Sequence, residues 1–401
     1  MKKRKVTPIN LVYLLFSAGI LAMLLSLVLA GGDFLDKLVY DFSYFVDFFD
    51  HVKRFYLGLG SVYEEGMHAC FPPLAYCLYY LVARILYRDN IGNPDGLRIS
   101  GSGLLVICML IAAFSVFFVF AFFRMFSVRS LFMKKWMAAL LMCSYPFWLA
   151  IERGNMSLLV LLLLMYAMCL KDSGKKWERE AALVLFASAS ALKLYPAVFG
   201  MLYLLDKRYK EAGRLVIYGI FLFFFPFVFF QGADGFRIFL HNLAAVGSGA
   251  TGVTIVGLSG RLASNLGISL ENGHEAGRIL SYCYFVIVLF YCFYKKESWK
   301  SVTLLTSLMI IFVAASGTYC LIYCVIPFIC FMNEMLMVKE YRAMDYIYAV
   351  LFVLIFAAYP VQAFGSSGML YISLYLLIGV LLTEGAVCGI RRTRMKHKGL
   401  K

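Results

Sequence analysis

The sequence contains few charged residues. Only 15% of its 401 residues are Asp, Glu, Lys or Arg, whereas 62% are hydrophobic and the mean hydropathy is +0.81. Soluble domains carry about 25% charged and roughly 45–50% apolar residues, so this composition excludes two soluble domains despite the sufficient length. We predict a single integral-membrane domain over residues 1–401, in contact with the lipid bilayer.

Paired cysteine motifs are also missing. None of the 11 cysteines belongs to a CxxC pair, and most lie inside apolar stretches, where cysteine acts as a small hydrophobic residue. Disulfides and a cysteine-bound metal are therefore not expected. The first long connection has no DxD motif. We expect no cofactor and no resident metal, with a divalent cation on oxygen ligands as the alternative.

A single basic patch is absent as well, although the net charge is +15. Lys and Arg are spread over short connections between apolar stretches, as the positive-inside rule describes for multi-pass membrane proteins. This distribution argues against a nucleic-acid partner. It predicts cytosolic N- and C-termini. We expect the membrane to be a bacterial cytoplasmic membrane.

The apolar stretches predict an all-α polytopic membrane fold of about 12 spanning or half-spanning helices, within a range of 11 to 13. The first stretch is longer than the 7–15 residues of a secretory h-region, which favours an uncleaved first span. The predicted spans lie near residues 9–30, 101–123, 136–151, 156–170, 181–192, 194–205, 214–230, 277–294, 301–316, 319–338, 345–364 and 367–390.

Residues 70–87 are apolar but add one crossing too many. Pro72 and Pro73 can begin a helix but cannot continue one, and the aromatic content of the stretch suits a helix lying flat on the outer leaflet. We predict such an interfacial helix, with a thirteenth span as the alternative.

Two predicted hairpins are too short to cross the bilayer. The helices that flank Lys193 reach about 18 Å, against a hydrocarbon core of about 30 Å. One long span over residues 181–205 is the alternative, but it inverts every later loop and places the basic tail outside. We therefore expect Lys193 to be recessed in a cavity lined by protein or water, beside the equally recessed Glu152, Arg153 and Asn155.

Two long loops are predicted on the extracytoplasmic side, at residues 31–100 and 231–276. The first combines an acidic cluster with the interfacial helix. Asp47, Asp50 and His51 in this loop share one face of a helix because they are three and four positions apart. Such a cluster suits general-base chemistry or a divalent cation. The alternative is the solvated face of an amphipathic helix.

Five short motifs follow one another in an order that resembles glycosyltransferase family 87, a branch of the GT-C superfamily of polytopic enzymes. The resemblance runs from the N-terminus to about residue 330. The Arg153-Gly154-Asn155 turn departs from it, because the family often has a glutamine-containing motif there. The motifs are Asp47 followed by GSVY at 60–63, FPPL at 71–74, ERGNMSLLVLLLL at 152–164, ALKLYP at 191–196 and GLSGRLASNLG at 257–267.

The resemblance implies a hexosyltransferase. Such an enzyme moves a sugar such as mannose from a polyprenyl-phosphate donor to an acceptor hydroxyl of a glycolipid or polysaccharide outside the cytosol, inverting the anomeric centre. It implies that Asp47 is the general base, with Asp41 and Asp50 as runners-up. His51, four positions after Asp47, is a second catalytic candidate that could orient the base or bind phosphate.

Inverting transfer needs a carboxylate to accept a proton and cations to hold the departing phosphate. The candidate phosphate ligands are Arg261, Lys193 and Arg153. The candidate sugar or acceptor contacts are Glu152, Asn155, Tyr63, Glu64, Tyr195, Asn265 and Tyr319.

Two other functions fit the composition. A transporter or flippase for a lipid-linked or anionic solute typically shows internal repeats and a site near the bilayer midplane, whereas no repeat is evident here and the polar groups gather toward one end. A polysaccharide polymerase, which transfers whole lipid-linked oligosaccharides, is the other alternative.

Overall fold

A computed structural model describes residues 7–30, 45–55, 59–64, 69–86, 96, 98–248, 254–294, 298–313, 316–357 and 368–397. Within these ranges the chain is 86% helical, has no strand and forms 17 α-helices. The predicted all-α polytopic membrane fold is thereby confirmed.

The α-helices follow the predicted apolar stretches closely. Short 3₁₀ segments connect several of them, and a π-helical turn at Leu308–Phe312 continues α14. The α-helices are α1 Pro8–Ala30, α2 Val46–Val52, α3 Pro73–Leu86, α4 Gly101–Met125, α5 Leu131–Met142, α6 Tyr145–Arg153, α7 Ser157–Leu170, α8 Lys176–Leu192, α9 Met201–Leu205, α10 Tyr209–Phe224, α11 Gly232–Ser248, α12 Ile255–Asn265, α13 Leu270–Tyr294, α14 Ser298–Ser307, α15 Val325–Met337, α16 Ala343–Ala357 and α17 Gly368–His397.

Six helical stretches in the described ranges are long and apolar enough to cross a membrane. These stretches expose large apolar side chains such as Leu29, Phe120, Ile217 and Phe290, as expected where the solvent is lipid. The most buried is the 318–337 stretch, which lies at the centre of the bundle. The six are Pro8–Leu29, Gly101–Met125, Tyr209–Phe229, Leu270–Phe293, Thr318–Met337 and Leu370–Val387.

The α3 helix covers the stretch predicted to lie at the interface. Its 14 residues extend about 21 Å, which is too short for a crossing of about 30 Å. One face, with Ala75, Tyr76, Tyr79 and Ala83, is fully buried and packs against α2 and α8. The structure therefore does not make α3 a thirteenth span.

The chain reverses at Lys193. The α8 helix ends at Leu192, Lys193 has an extended backbone (φ −146°, ψ 132°), and the 3₁₀ segment Tyr195–Gly200 packs back against α8. Pro196 lies in the first turn of that segment, where a missing N–H costs nothing. The alternative of one long span over 181–205 is thus incorrect.

The second predicted outer loop is largely helical. Residues 231–276 contain α11, α12 and the first turns of α13, and α12 packs along α13 as a helical hairpin. The α13 helix begins at Leu270, before the predicted start near residue 277.

Ion pairs tie the loops together at the end of α8 that is distant from Lys193. Lys171 donates to Asp206 at 2.6 Å, Arg208 pairs with Asp172 at 2.9 Å, and Arg214 pairs with Glu180 at 2.6 Å. The 17 residues of α8 separate this network from Lys193 by about 25 Å.

Candidate active site

The first loop docks onto the turn between α6 and α7. The amide of Phe45 donates to the carbonyl of Glu152 at 2.6 Å, and the Phe45 ring covers Gly154. Gly154 has φ +60°, a left-handed conformation that glycine adopts without a Cβ penalty. This docking brings Asp47, in the first turn of α2, to Arg153 at the end of α6 and to Asn155 just after it.

Both carboxylate oxygens of Asp47 are held by donors. Oδ1 accepts from the Arg153 guanidinium, and Oδ2 accepts from the Asn155 amide at 2.7 Å. The Asp47 side chain remains 13% exposed. Each carboxylate oxygen has two lone pairs, so a fixed and partly accessible carboxylate can still accept a proton from a bound hydroxyl.

A directed chain of hydrogen bonds links Asp47 to Lys193. The Lys193 ammonium donates to Ser157 Oγ at 2.8 Å, and Ser157 donates through both Oγ (2.9 Å) and its backbone N–H (3.1 Å) to Asn155 Oδ1. Because an ammonium and a backbone N–H can only donate, the Asn155 oxygen must face Ser157. Its amide nitrogen therefore faces Asp47.

Lys193 is a buried cation without a carboxylate partner among the described residues. It is 4% exposed, and its Nζ lies 5.2 Å from the ring centre of Phe71, 5.4 Å from that of Tyr195 and 5.3 Å from that of Tyr319. Burying a charge is costly unless it is paired, and cation–π contacts supply only part of that compensation.

Two other lysines are equally buried, and each has an acidic partner. Lys171 is 7% exposed and pairs with Asp206, and Lys300 is 3% exposed and pairs with Glu384 at 2.8 Å. The difference between Lys193 and these two lysines indicates a place for an anion beside Lys193.

A cavity of about 580 Å³ opens beside Lys193. Arg278 of α13 also lines it. One helical turn from Arg278, the Ser281 hydroxyl is buried and has no hydrogen-bond partner among the described residues. The cavity has the character expected of a small-molecule or lipid site, mainly apolar with a few polar groups. Its lining is completed by Cys70, Phe71, Pro72, Leu194, Tyr195, Val198, Leu243, Val246, Val256, Tyr282, Leu308, Phe312, Val313, Tyr319 and Cys320.

His51 is buried among aromatic side chains. Its ring stacks against Phe71 (4.2 Å between centroids) and Tyr79 (5.2 Å), and Nδ1 lies 3.2 Å from the Tyr76 hydroxyl. Burial lowers the pKa of His51 well below its usual value, and the nearby charge of Arg54 lowers it further. The imidazole is therefore neutral near pH 7 and connects α2 to α3.

The lowered pKa of His51 predicts a pH-dependent stability. The unfolded chain gains a proton on His51 below about pH 6.5, but the folded chain does not. The contribution of the neutral imidazole is therefore complete above that pH and is lost as the pH falls toward the lowered folded pKa. Between about pH 7.5 and 5.5, thermal unfolding of the His51→Asn variant should show a shallower pH dependence than wild type, by up to ~1.4 kcal/mol per pH unit. Equal slopes for the two proteins would contradict this prediction.

The other predicted contacts differ in position. Tyr195 and Tyr319 line the cavity. Tyr63 is fully buried, packs on Tyr76, and donates its hydroxyl to the Phe71 carbonyl at 2.6 Å, so it supports the site from behind. Glu64 is exposed.

Arg261 and Asn265 are not among the cavity-lining residues. Both are exposed on α12, which presents Val256 to the cavity instead. Arg278, on the neighbouring α13, is the arginine that lines it. No periodicity in the sequence distinguishes the two arginines, because both lie in polar segments next to apolar stretches.

The remaining acids of the first loop are separate from Asp47. Asp50 is 47% exposed and pairs with Lys53 at 2.8 Å. Asp41 lies outside the described residues. Glu152 is half-buried, and its backbone carbonyl accepts from the Phe45 amide. Among the described residues, no group of three or more His, Cys, Asp or Glu side chains is arranged to hold a metal ion.

Ser157 and Phe71 are site residues that our sequence reasoning did not select. Ser157 lies in a run of apolar residues. The sequence feature that could have identified it is its position two residues after Asn155, where an Asn side chain often bonds the backbone in an Asx turn. Phe71 belongs to the FPPL motif, but a motif does not reveal which of its side chains contacts a distant lysine.

Asp47 is not among the residues that line the cavity, but hydrogen bonds through Asn155 and Ser157 link it to Lys193, which does line it. An all-helical membrane bundle with a buried lysine at a mainly apolar cavity and a carboxylate linked to that lysine has the features of an enzyme acting on lipid-linked substrates. The chain belongs to glycosyltransferase family 87, whose family model matches residues 70–321, and it is a membrane glycosyltransferase. Asp47 lies before the matched range. No curated protein and no solved structure matches the chain.

Proposed function

We propose that the protein transfers a hexose from a polyprenyl-phosphate donor to a hydroxyl of a glycolipid or polysaccharide acceptor, with inversion at the anomeric carbon. Lys193 binds the donor phosphate, and Asp47 is the general base. Asn155, Tyr195 and Tyr319 contact the sugar or acceptor.

The observation that carries this proposal is the state of the Lys193 ammonium. It is buried and lies within 5.4 Å of the ring centres of Phe71, Tyr195 and Tyr319. It donates to Ser157, and none of the described carboxylates pairs with it. An ammonium has three N–H donors, so two remain for an anionic ligand. A phosphate joined to a hydrocarbon chain suits a cation that borders a mainly apolar cavity.

The proposed transfer is a single displacement of the phosphate at the anomeric carbon. The acceptor oxygen attacks the anomeric carbon from the face opposite the phosphate, and its proton passes to Asp47. The bond between the anomeric carbon and the phosphate oxygen breaks, and the departing polyprenyl phosphate keeps the electron pair. Lys193 stabilises this charge, with Arg278 as a second cation at the cavity wall. We assign this role to the two side chains rather than to a metal ion.

We further propose that the site faces the extracytoplasmic side. The Lys- and Arg-rich loops, which the positive-inside rule assigns to the cytosol, include the ion-paired network at the end of α8 distant from Lys193. A site at the Lys193 end of α8 then lies toward the opposite side of the membrane.

Removing the Lys193 charge should impair use of the donor more than use of the acceptor. In a membrane assay with labelled polyprenyl-phosphate sugars, Lys193→Met should raise the donor KM by about tenfold or more, because hydrogen bonds to charged groups contribute about 1.5–3 kcal/mol. The acceptor KM should change by less than about twofold. Lys193→Arg, which keeps the charge, should recover part of the loss.

Equal increases in the two KM values for Lys193→Met would indicate a purely structural role for Lys193. Uptake of a labelled solute into proteoliposomes without any glycosylated product would instead favour a transporter.

A further inference from the structure

A second apolar space lies directly beyond the active-site cavity. It is a groove of about 570 Å³ between α8, the chain that returns from Lys193, and α10. We refer to it as the α8–α10 groove. Within the described part of the chain, no charged side chain lines it. Its polar members are Ser190, whose hydroxyl donates to the Phe186 carbonyl at 2.9 Å, and Tyr209, through its phenol.

The groove and the active-site cavity share one wall. Leu194 lines both spaces, and it directly follows Lys193 in the chain. A ligand whose phosphate is bound by Lys193 can therefore pass its hydrocarbon chain over Leu194 into the groove without crossing a polar surface.

The groove extends along most of the thickness of the hydrocarbon core of a bilayer, which is about 30 Å. Its lining on α10 runs from Tyr209 to Phe224, a distance of about 22 Å along the helix. Val216 and Ile220 are more than half exposed on its edge, so the groove is open toward lipid on one side.

Small residues form part of the groove lining on both helices. Gly213 and Gly219 of α10 and Ala187 and Ala191 of α8 all line it. A Cβ placed on Gly213 or Gly219 would meet no atom within 4 Å. The glycines therefore leave space that a side chain would fill, and no tight helix contact requires them.

The size of the groove favours a single hydrocarbon chain over a partner helix. A helix about 10 Å wide and 22 Å long occupies roughly 1,700 Å³, which is more than the groove can enclose. A flexible chain without polar groups needs no hydrogen-bond partners in the groove, and its methylene and methyl groups make van der Waals contacts with the apolar lining.

We propose that the α8–α10 groove binds the polyprenyl chain of the phosphate-bearing donor, with Leu194 as the point where the chain leaves the active-site cavity. The inference rests on the proposed function, because it takes Lys193 as the phosphate ligand. It adds a binding site for the lipid portion of the donor and makes chain length a determinant of affinity.

Groove-filling substitutions test the proposal on the purified full-length protein in nanodiscs. Gly213→Phe fills the end of the groove near Tyr209, about 16 Å along α10 from Phe224. Gly219→Phe fills the middle of the groove. The probes are decaprenyl phosphate and geranyl phosphate, which carry the same head group on chains of different length. Ile217→Phe is the matched control, because Ile217 lies on α10, is 63% exposed and does not line the groove.

Both glycine variants should raise the Kd of decaprenyl phosphate by about tenfold or more, and Ile217→Phe should leave it unchanged. Geranyl phosphate is too short to reach Gly213, so its binding should be the same in Gly213→Phe as in wild type. An unchanged Kd of decaprenyl phosphate in both glycine variants would overturn the proposal, as would a loss confined to the KM of a lipid-borne acceptor.

Lys193→Met separates this inference from the proposed function. If Lys193→Met weakens binding of both phosphates while the glycine variants weaken neither, the donor assignment stands and the groove assignment fails. If Lys193→Met binds both phosphates as tightly as wild type, the phosphate site is elsewhere and both assignments fail.

Discussion

Asp47→Asn should abolish most glycosyl transfer while leaving the protein folded. A positioned general base contributes typically 10²–10⁴-fold to a rate, so we expect the transfer rate to fall by about that factor. The substitution keeps the shape of the side chain but removes its ability to take a proton from the acceptor. The measurement is product formation from a labelled polyprenyl-phosphate sugar under single-turnover conditions, together with donor binding to the same preparation, which should be retained within a few-fold.

Asp50→Asn is the matched control for Asp47→Asn. Asp50 lies one helical turn later on α2, is 47% exposed and pairs with Lys53, and exposed pairs contribute about 0–1 kcal/mol. Its removal should leave transfer within about twofold of wild type. A larger loss in Asp50→Asn than in Asp47→Asn would move the base from Asp47 to Asp50.

Gly154→Ala should impair both stability and transfer, because the new methyl group meets two obstacles. Gly154 has φ +60°, and a non-glycine residue held in such a conformation costs about 1–3 kcal/mol. A Cβ at this position would also lie 2.4 Å from the Phe45 ring. The first loop must therefore move away from the turn, and Asp47 moves with it. A misplacement of about 1 Å can cost about 10²-fold in rate, so we expect a loss of that order together with a lower unfolding temperature.

Gly267→Ala isolates the backbone contribution to this effect. Gly267 has φ +74° but open space where a Cβ would be. It should therefore show a modest loss of stability and little loss of transfer. If Gly154→Ala and Gly267→Ala reduced transfer equally, the contact between Phe45 and Gly154 would have no role in positioning Asp47.

The span pattern could be predicted from the sequence because length and hydropathy determine it. The reversal at Lys193 was predictable for the same reason, since one long span would have placed the basic tail on the wrong side. The break between α5 and α6 was not predicted. It follows from Pro146 in the first turn of α6, because proline begins a helix readily but interrupts one that is under way.

Partner choice within the site could not be read from the sequence. Asp47 and Arg153 are 106 positions apart, and no periodicity relates residues on different helices. Sidedness shows which polar residues lie at the same end of the bundle, but only the packing of α2 on α6 decides which of them touch.

The choice of Arg261 over Arg278 illustrates the same difficulty. Arg261 belongs to a motif that resembles the family, whereas Arg278 follows a plain polar stretch. The two residues lie on adjacent helices of one hairpin, and the rotation of each helix about its axis determines which arginine borders the cavity. That rotation depends on contacts such as the close approach of Gly277 to Val256, which hydropathy does not encode.

A cryo-electron microscopy structure of the full-length protein with bound polyprenyl phosphate tests the central claim most directly. We predict a phosphate oxygen within hydrogen-bond distance of Lys193 Nζ. The hydrogen-bonded side chains of Asn155 and Ser157 should then lie between the phosphate and Asp47. A phosphate bound instead in the basic network around Arg208, at the far end of α8, would contradict it.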